Sequence, residues 1–129
     1  MVVRKRHEVR AQTNKEFAEF LLAQGNYLGW SVSGCFYSAL HQIDSWLDDC
    51  WGYHPTGHKT RETFINRQSN IPQHVLDAYY RLKKDSEKAR YDCWDPSPLA
   101  VRTNHLPALE EVEQFVQSQL QPVSPSTVT

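Results

Sequence analysis

Apolar residues recur along this chain three or four positions apart, and alternation at every second position never persists. Such spacing is typical of α-helices that turn one face towards a core. The clearest stretch, 28–51, is apolar on most of its circumference, as expected of a helix with neighbours on several sides. An earlier helix has Phe17, Phe20, Leu21 and Gln24 on one face. Helices other than 28–51 are predicted at about 5–24, 60–68, 72–93 and 105–120.

Glycine, proline and asparagine cluster between the predicted helices and mark the connections. Two longer loops are predicted, at 52–59 and 95–104. Helices joined by short connections pack as antiparallel neighbours. The sequence therefore predicts a single all-α domain over 1–120, an up-and-down bundle of four to five helices, followed by a flexible C-terminal tail over 121–129.

The predicted central helix also carries a stripe of polar side chains. Their spacing of i, i+4, i+7 and i+11 places them on one helix face: Tyr37, His41, Asp44 and Asp48. A buried charge without a partner costs several kcal/mol, so each group needs a partner from another helix. The candidates are His58, Arg61, Arg90 and Tyr91. We predict a buried polar network that ties the second helix to the third and fourth and faces the cleft where a ligand would bind.

Composition narrows the function classes. The formal net charge of −1 disfavours unspecific nucleic-acid binding, although residues 4–10 and 81–90 are locally basic and suit phosphate. No apolar run approaches the roughly 18 residues of a membrane span, and the basic first ten residues lack the apolar stretch of a signal peptide. The three cysteines include no CxxC pair, which indicates free thiols. We therefore expect a soluble, cytoplasmic protein.

The polar side chains are compatible with two kinds of ligand site. In a phosphate or nucleotide pocket, arginine and histidine would contact the phosphate while tyrosine supplies stacking or hydroxyl contacts. The members of that pocket would be Tyr37, His41, Asp44, His58, Arg61, Arg90 and Tyr91. A metal site from His41, Asp44 and His58 is weaker, because three candidates of unknown geometry define no coordination. Arg61 and Arg90 also fit a structural role as counter-charges. We therefore expect neither a metal nor a cofactor.

Three motifs stand in order on the predicted helices: "FYSALH" at 36–41, "HKTR" at 58–61 and "SEKARY" at 86–91. Over about 27–93 the chain resembles small stand-alone prokaryotic members of the HEPN superfamily, named for higher eukaryotes and prokaryotes nucleotide-binding. The resemblance implies a helical bundle that commonly dimerises, so we expect a homodimer. Some HEPN proteins bind nucleotides, RNA or protein. Others are metal-independent ribonucleases, often toxins paired with a small nucleotidyltransferase antitoxin.

The ribonuclease members carry an arginine and a histidine a few positions apart. "RQSNIPQH" supplies one Arg-x6-His match, from Arg67 to His74. In that chemistry the histidine moves a proton at the 2′-hydroxyl or the leaving oxygen, and the arginine holds the phosphate. Ile71-Pro72 falls inside the match, so the two residues are predicted on different helices. The sequence thus favours a module that binds a nucleotide, RNA or a partner protein, in a toxin–antitoxin type of system, with a ribonuclease toxin as the alternative.

Overall fold

A computed structural model describes residues 2–68 and 70–120 of the protein; this part is mostly helical, and no β-strand occurs in it. Its elements are α1 (Val2–Gln24), α2 (Leu28–Trp51), α3 (His58–Asn66), α4 (Gln73–Tyr91), α5 (Pro98–Ala100), a π-helical turn (Val101–His105) and α6 (Leu106–Gln119). The all-α prediction is confirmed. The predicted tail at 121–129 lies outside the described residues. Within them, no helix combines the length and apolar character that crossing a bilayer requires.

Helix α2 is the central element of the bundle, with the bounds that its apolar pattern predicts. It packs against α1, α4 and α6. Phe36, Ile43, Trp46 and Leu47 on α2 are almost completely buried, which accounts for its apolar character on several sides. The helix ends at Gly52, whose φ of 61° closes the last turn so that its N–H reaches the carbonyls of Asp48 and Leu47.

Helices α1 and α2 lie antiparallel and very close together. The Ser31 and Ser38 hydroxyls of α2 donate to the carbonyls of Ala18 (2.8 Å) and Ala11 (2.7 Å) in α1. A Cβ on Gly34 would lie only 3.1 Å from the Ala18 Cβ, so a larger side chain there has no room. Small residues therefore form this contact.

The close contact also decides which face of α1 is buried. Ala11, Ala18 and Leu21 are buried, whereas Phe17 and Phe20 are 44% and 60% exposed. Of the four residues that the sequence places on one face of this helix, which include the exposed Gln24, only Leu21 faces the core. The aromatic periodicity is misleading here because α2 presents serine and glycine, whose small side chains fit against alanine rather than against phenylalanine.

The predicted loop at 95–104 is wrong from residue 98 onward, because helix begins at Pro98 rather than near residue 105. The Ser97 hydroxyl accepts a hydrogen bond from the Ala100 N–H at 3.0 Å, and proline suits the first helical position. Val101 is fully buried in a small cluster with Leu28 and Val32, which holds the segment against the bundle.

Candidate functional site

A buried ion pair joins the polar stripe of α2 to α3. The Arg61 Nε and Nη2 atoms donate to the two carboxylate oxygens of Asp44, at 2.7 and 2.9 Å, and both residues are buried. Burial alone would lower the pKa of Arg61, but the hydrogen bonds and the charge of Asp44 more than offset it and raise that pKa. The predicted tie between the second and third helices is thereby confirmed.

His58 lies beside this pair, on the first turn of α3. Its Nδ1 is 3.4 Å from the Arg61 Nη1, and its ring packs 5.8 Å from that of Phe36, centroid to centroid. Burial and then the Arg61 charge lower the pKa of His58. The buried Tyr79 hydroxyl borders Arg61 from α4. The three helices α2, α3 and α4 thus meet around one guanidinium group.

A second histidine pair joins α2 to α1. The Nδ1 atoms of His7 and His41 are 2.9 Å apart, so one ring donates and the other accepts the hydrogen bond. Burial, and next the neighbouring His7, lower the pKa of His41 to about 4. His41 is therefore neutral at physiological pH and offers both a donor and an acceptor nitrogen.

A groove opens beside His41 between α1 and α2, with a volume of about 540 Å³. We call it the α1–α2 groove. Its lining residues are Lys5, Arg6, Val9, Arg10 and His41. Three of these five described residues are cationic and none is acidic. The groove is therefore a local concentration of positive charge on a chain whose net charge is −1.

The remaining members of the predicted pocket, Tyr37 of α2 and Arg90 and Tyr91 of α4, lie together at a second place. The Arg90 guanidinium stands 5.5 Å from the Tyr37 ring centroid and 5.3 Å from that of Tyr91. Arg90 also donates to the Ser86 hydroxyl, which in turn donates to Ser33 of α2 at 3.2 Å. These contacts tie α2 to α4, as predicted.

Arg90 and Tyr91 also border a cavity of about 390 Å³. The other lining residues are Gly29, Trp30, Ala89 and Asp95. Asp95 places a carboxylate in this cavity, so it is less suited to a phosphate than the α1–α2 groove. The Oδ1 of Asp48, the last member of the stripe, lies 3.3 Å from the His54 Nε2.

Arg67 and His74 lie on different elements, as the intervening proline predicts. Arg67 caps the C-terminal end of α3 and lines a cavity of about 400 Å³ whose lining does not include His74. His74 belongs to the first turn of α4, and its Nδ1 lies 3.9 Å from a Glu111 carboxylate oxygen. Among the described residues no hydrogen bond or ion pair joins Arg67 to His74. The structure does not bring this pair together.

The candidate site residues suggested by the sequence do not include His7 or the basic side chains that line the groove. The basic run at 4–10 is visible in the sequence, but nothing local connects it to His41, 34 positions from His7. Comparison of the chain with protein-family models, with curated proteins and with solved structures gave no match. The HEPN resemblance therefore stays a prediction from three short motifs.

Proposed function

We propose that the protein is a HEPN-like helical module that binds a phosphate-bearing ligand, a nucleotide or RNA, in the α1–α2 groove. The observation that carries this proposal is the groove's lining, in which Lys5, Arg6 and Arg10 surround neutral His41 without a carboxylate among them. Cationic side chains at such a site supply the salt-dependent attraction that phosphate binding requires.

Each lining group has a chemical task in this proposal. The Arg6 and Arg10 guanidinium groups suit phosphate because each presents a fork of N–H donors to two oxygens, and Lys5 adds a point charge. Neutral His41 can donate to a phosphate oxygen or accept from a ribose hydroxyl. Val9, which is 55% exposed, gives an apolar contact for a sugar or base.

We expect the protein to bind a fluorescently labelled single-stranded RNA, measured by anisotropy in EDTA over a series of salt concentrations. The plot of log affinity against log salt has a negative slope. Arg6→Ala and Arg10→Ala should each make this slope shallower by about 0.7, because each removes one phosphate contact. Arg81→Ala is the matched control, since Arg81 is an exposed arginine on α4 away from the groove. Equal affinity and slope in wild type and both groove variants would overturn the proposal.

The same samples separate binding from catalysis. We expect the RNA to stay intact in EDTA, since Arg67 and His74 do not meet. Products that end in a 2′,3′-cyclic phosphate, and that disappear with His74→Ala, would instead support the ribonuclease alternative. In that outcome a small nucleotidyltransferase encoded beside this protein becomes the expected antitoxin.

The exposed aromatic side chains at the α1–α2 turn favour the expected homodimer. Phe20, Tyr27 and Trp30 are 60%, 72% and 55% exposed, and aromatic residues are enriched at subunit interfaces. Light scattering at micromolar concentration should give about twice the 15.0 kDa chain mass. Phe20→Glu should shift the mass to that of one chain, while Leu99→Glu, equally exposed on α5, should not. A single-chain mass for the wild type would contradict the dimer.

A further inference from the structure

We propose that His7, His41 and Asp44 bind one divalent transition-metal ion, best matched by zinc, at the wall of the α1–α2 groove. One ring nitrogen from each histidine and one carboxylate oxygen of Asp44 all lie within 4.8 Å of one another. The site goes beyond the proposed RNA binding and does not depend on it, because its three donors come from the protein alone.

The donor set selects the class of ion. Two imidazoles and one carboxylate are the three protein ligands of many catalytic zinc sites, which leave a further position for water or substrate. Magnesium and calcium prefer an all-oxygen set, so they fit this cluster poorly. The set differs from the one that the sequence suggests, because His7 from α1 replaces His58, which instead faces Arg61.

The fold holds these donors from two sides. His41 and Asp44 are three positions apart on α2, so their side chains leave neighbouring points of one helix face. His7 approaches from α1, and its Nδ1 is already 2.9 Å from that of His41. Arg61 occupies one lone pair on each Asp44 oxygen, and a carboxylate oxygen has two. Arg61 then acts as the outer group that orients a metal ligand.

The charges around the site support binding of moderate strength. Arg61 already neutralises Asp44, and Arg10 adds a further positive charge nearby. Affinity is therefore expected to be lower than for the same ligands with a free carboxylate. Because His41 also lines the groove, the ion would add positive charge where the phosphate of a ligand is expected.

The test is a calorimetric titration of the full-length protein, freed of metal with EDTA and transferred to chelator-free buffer, with zinc chloride alone. We expect one ion per chain, and an affinity at least about tenfold weaker in His7→Ala and in His41→Ala. His54→Ala is the control, because His54 is more than half exposed and pairs with Asp48 outside the cluster. It should bind zinc as the wild type does.

Thermal unfolding with and without zinc is a second measurement, which also tests variants that are less stable than the wild type. Zinc should raise the thermal midpoint of the wild type and of His54→Ala, since the ion binds only the folded state, and should not raise that of His7→Gln. Glutamine keeps a polar side chain of similar size at this position, and circular dichroism establishes that the variant is folded. Absence of zinc binding to the wild type, or unchanged binding to His7→Gln, would overturn the site. RNA binding is measured in EDTA, so failure of either proposal is recognised separately.

Discussion

Replacing Asp44 by alanine is expected to lower the free energy of unfolding by about 3–5 kcal/mol. Asp44 is 4% and Arg61 6% exposed, and the two form a bidentate ion pair. The substitution leaves the guanidinium buried with no carboxylate to compensate its charge, so most of the cost is the desolvation of Arg61. Denaturant unfolding followed by circular dichroism measures the change.

Two further variants decide whether burial is the cause. Asp77→Ala removes an exposed carboxylate on α4 and should change stability by no more than about 0.5 kcal/mol. Combining Asp44→Ala with Arg61→Met should recover much of the loss, because it removes the uncompensated charge while keeping apolar volume. If Asp44→Ala alone were as mild as the Asp77 variant, the pair would be exposed to water in solution and the network would be a surface feature.

Trp46→Ala is expected to cost about 3–5 kcal/mol as well, for a different reason. Trp46 is fully buried, and its ring meets those of Trp51 and Phe115 edge to face, with both centroids at 5.1 Å. Alanine would leave a cavity between α2 and α6 and remove two favourable aromatic contacts. The same unfolding titration should show a large fall in the midpoint.

Trp46→Phe separates the aromatic contacts from the indole N–H. The Nε1 of Trp46 is buried and donates no hydrogen bond within the described residues. Phenylalanine removes this donor and keeps a ring, so we expect a cost of no more than about 2 kcal/mol, chiefly from lost volume. A phenylalanine variant as unstable as the alanine variant would show that the indole makes a contact other than those of its ring.

The elements that the sequence predicts well are those whose local pattern agrees with their tertiary environment. Helix α2 is apolar on several sides and ends at a glycine, so its bounds follow from the chain. The buried face of α1 does not, because Phe17 and Phe20 have the right period but the neighbouring helix leaves room only for alanine. The helical segment from Pro98 is hidden by prolines that start the helix rather than break it.

In the candidate site too, the sequence predicts only the contacts that have a local signal. The Asp44–Arg61 pair is predictable because a charge on an apolar helix requires a counter-charge. The contact of His7 with His41 has no such signal, since it depends on how closely α1 approaches α2. For the same reason the basic run at 4–10 is visible as charge, but its position beside His41 requires the folded protein.

The π-helical turn at Val101–His105 makes that part of the chain more tolerant of a one-residue deletion than α2 is. A π turn contains one residue more than an α-helical turn. The side chains after it therefore point in the directions that they would have in an α-helix with one residue fewer. Pro107 stands in the first turn of α6 and has no N–H to donate in the interior of a longer helix. Removing one residue from the π turn, with Pro107 changed to alanine, would leave a regular helix in which Val101 and Leu109 still face their clusters. The same deletion in α2, made before Asp44, would rotate every later side chain by about 100° and separate Asp44 from its partner.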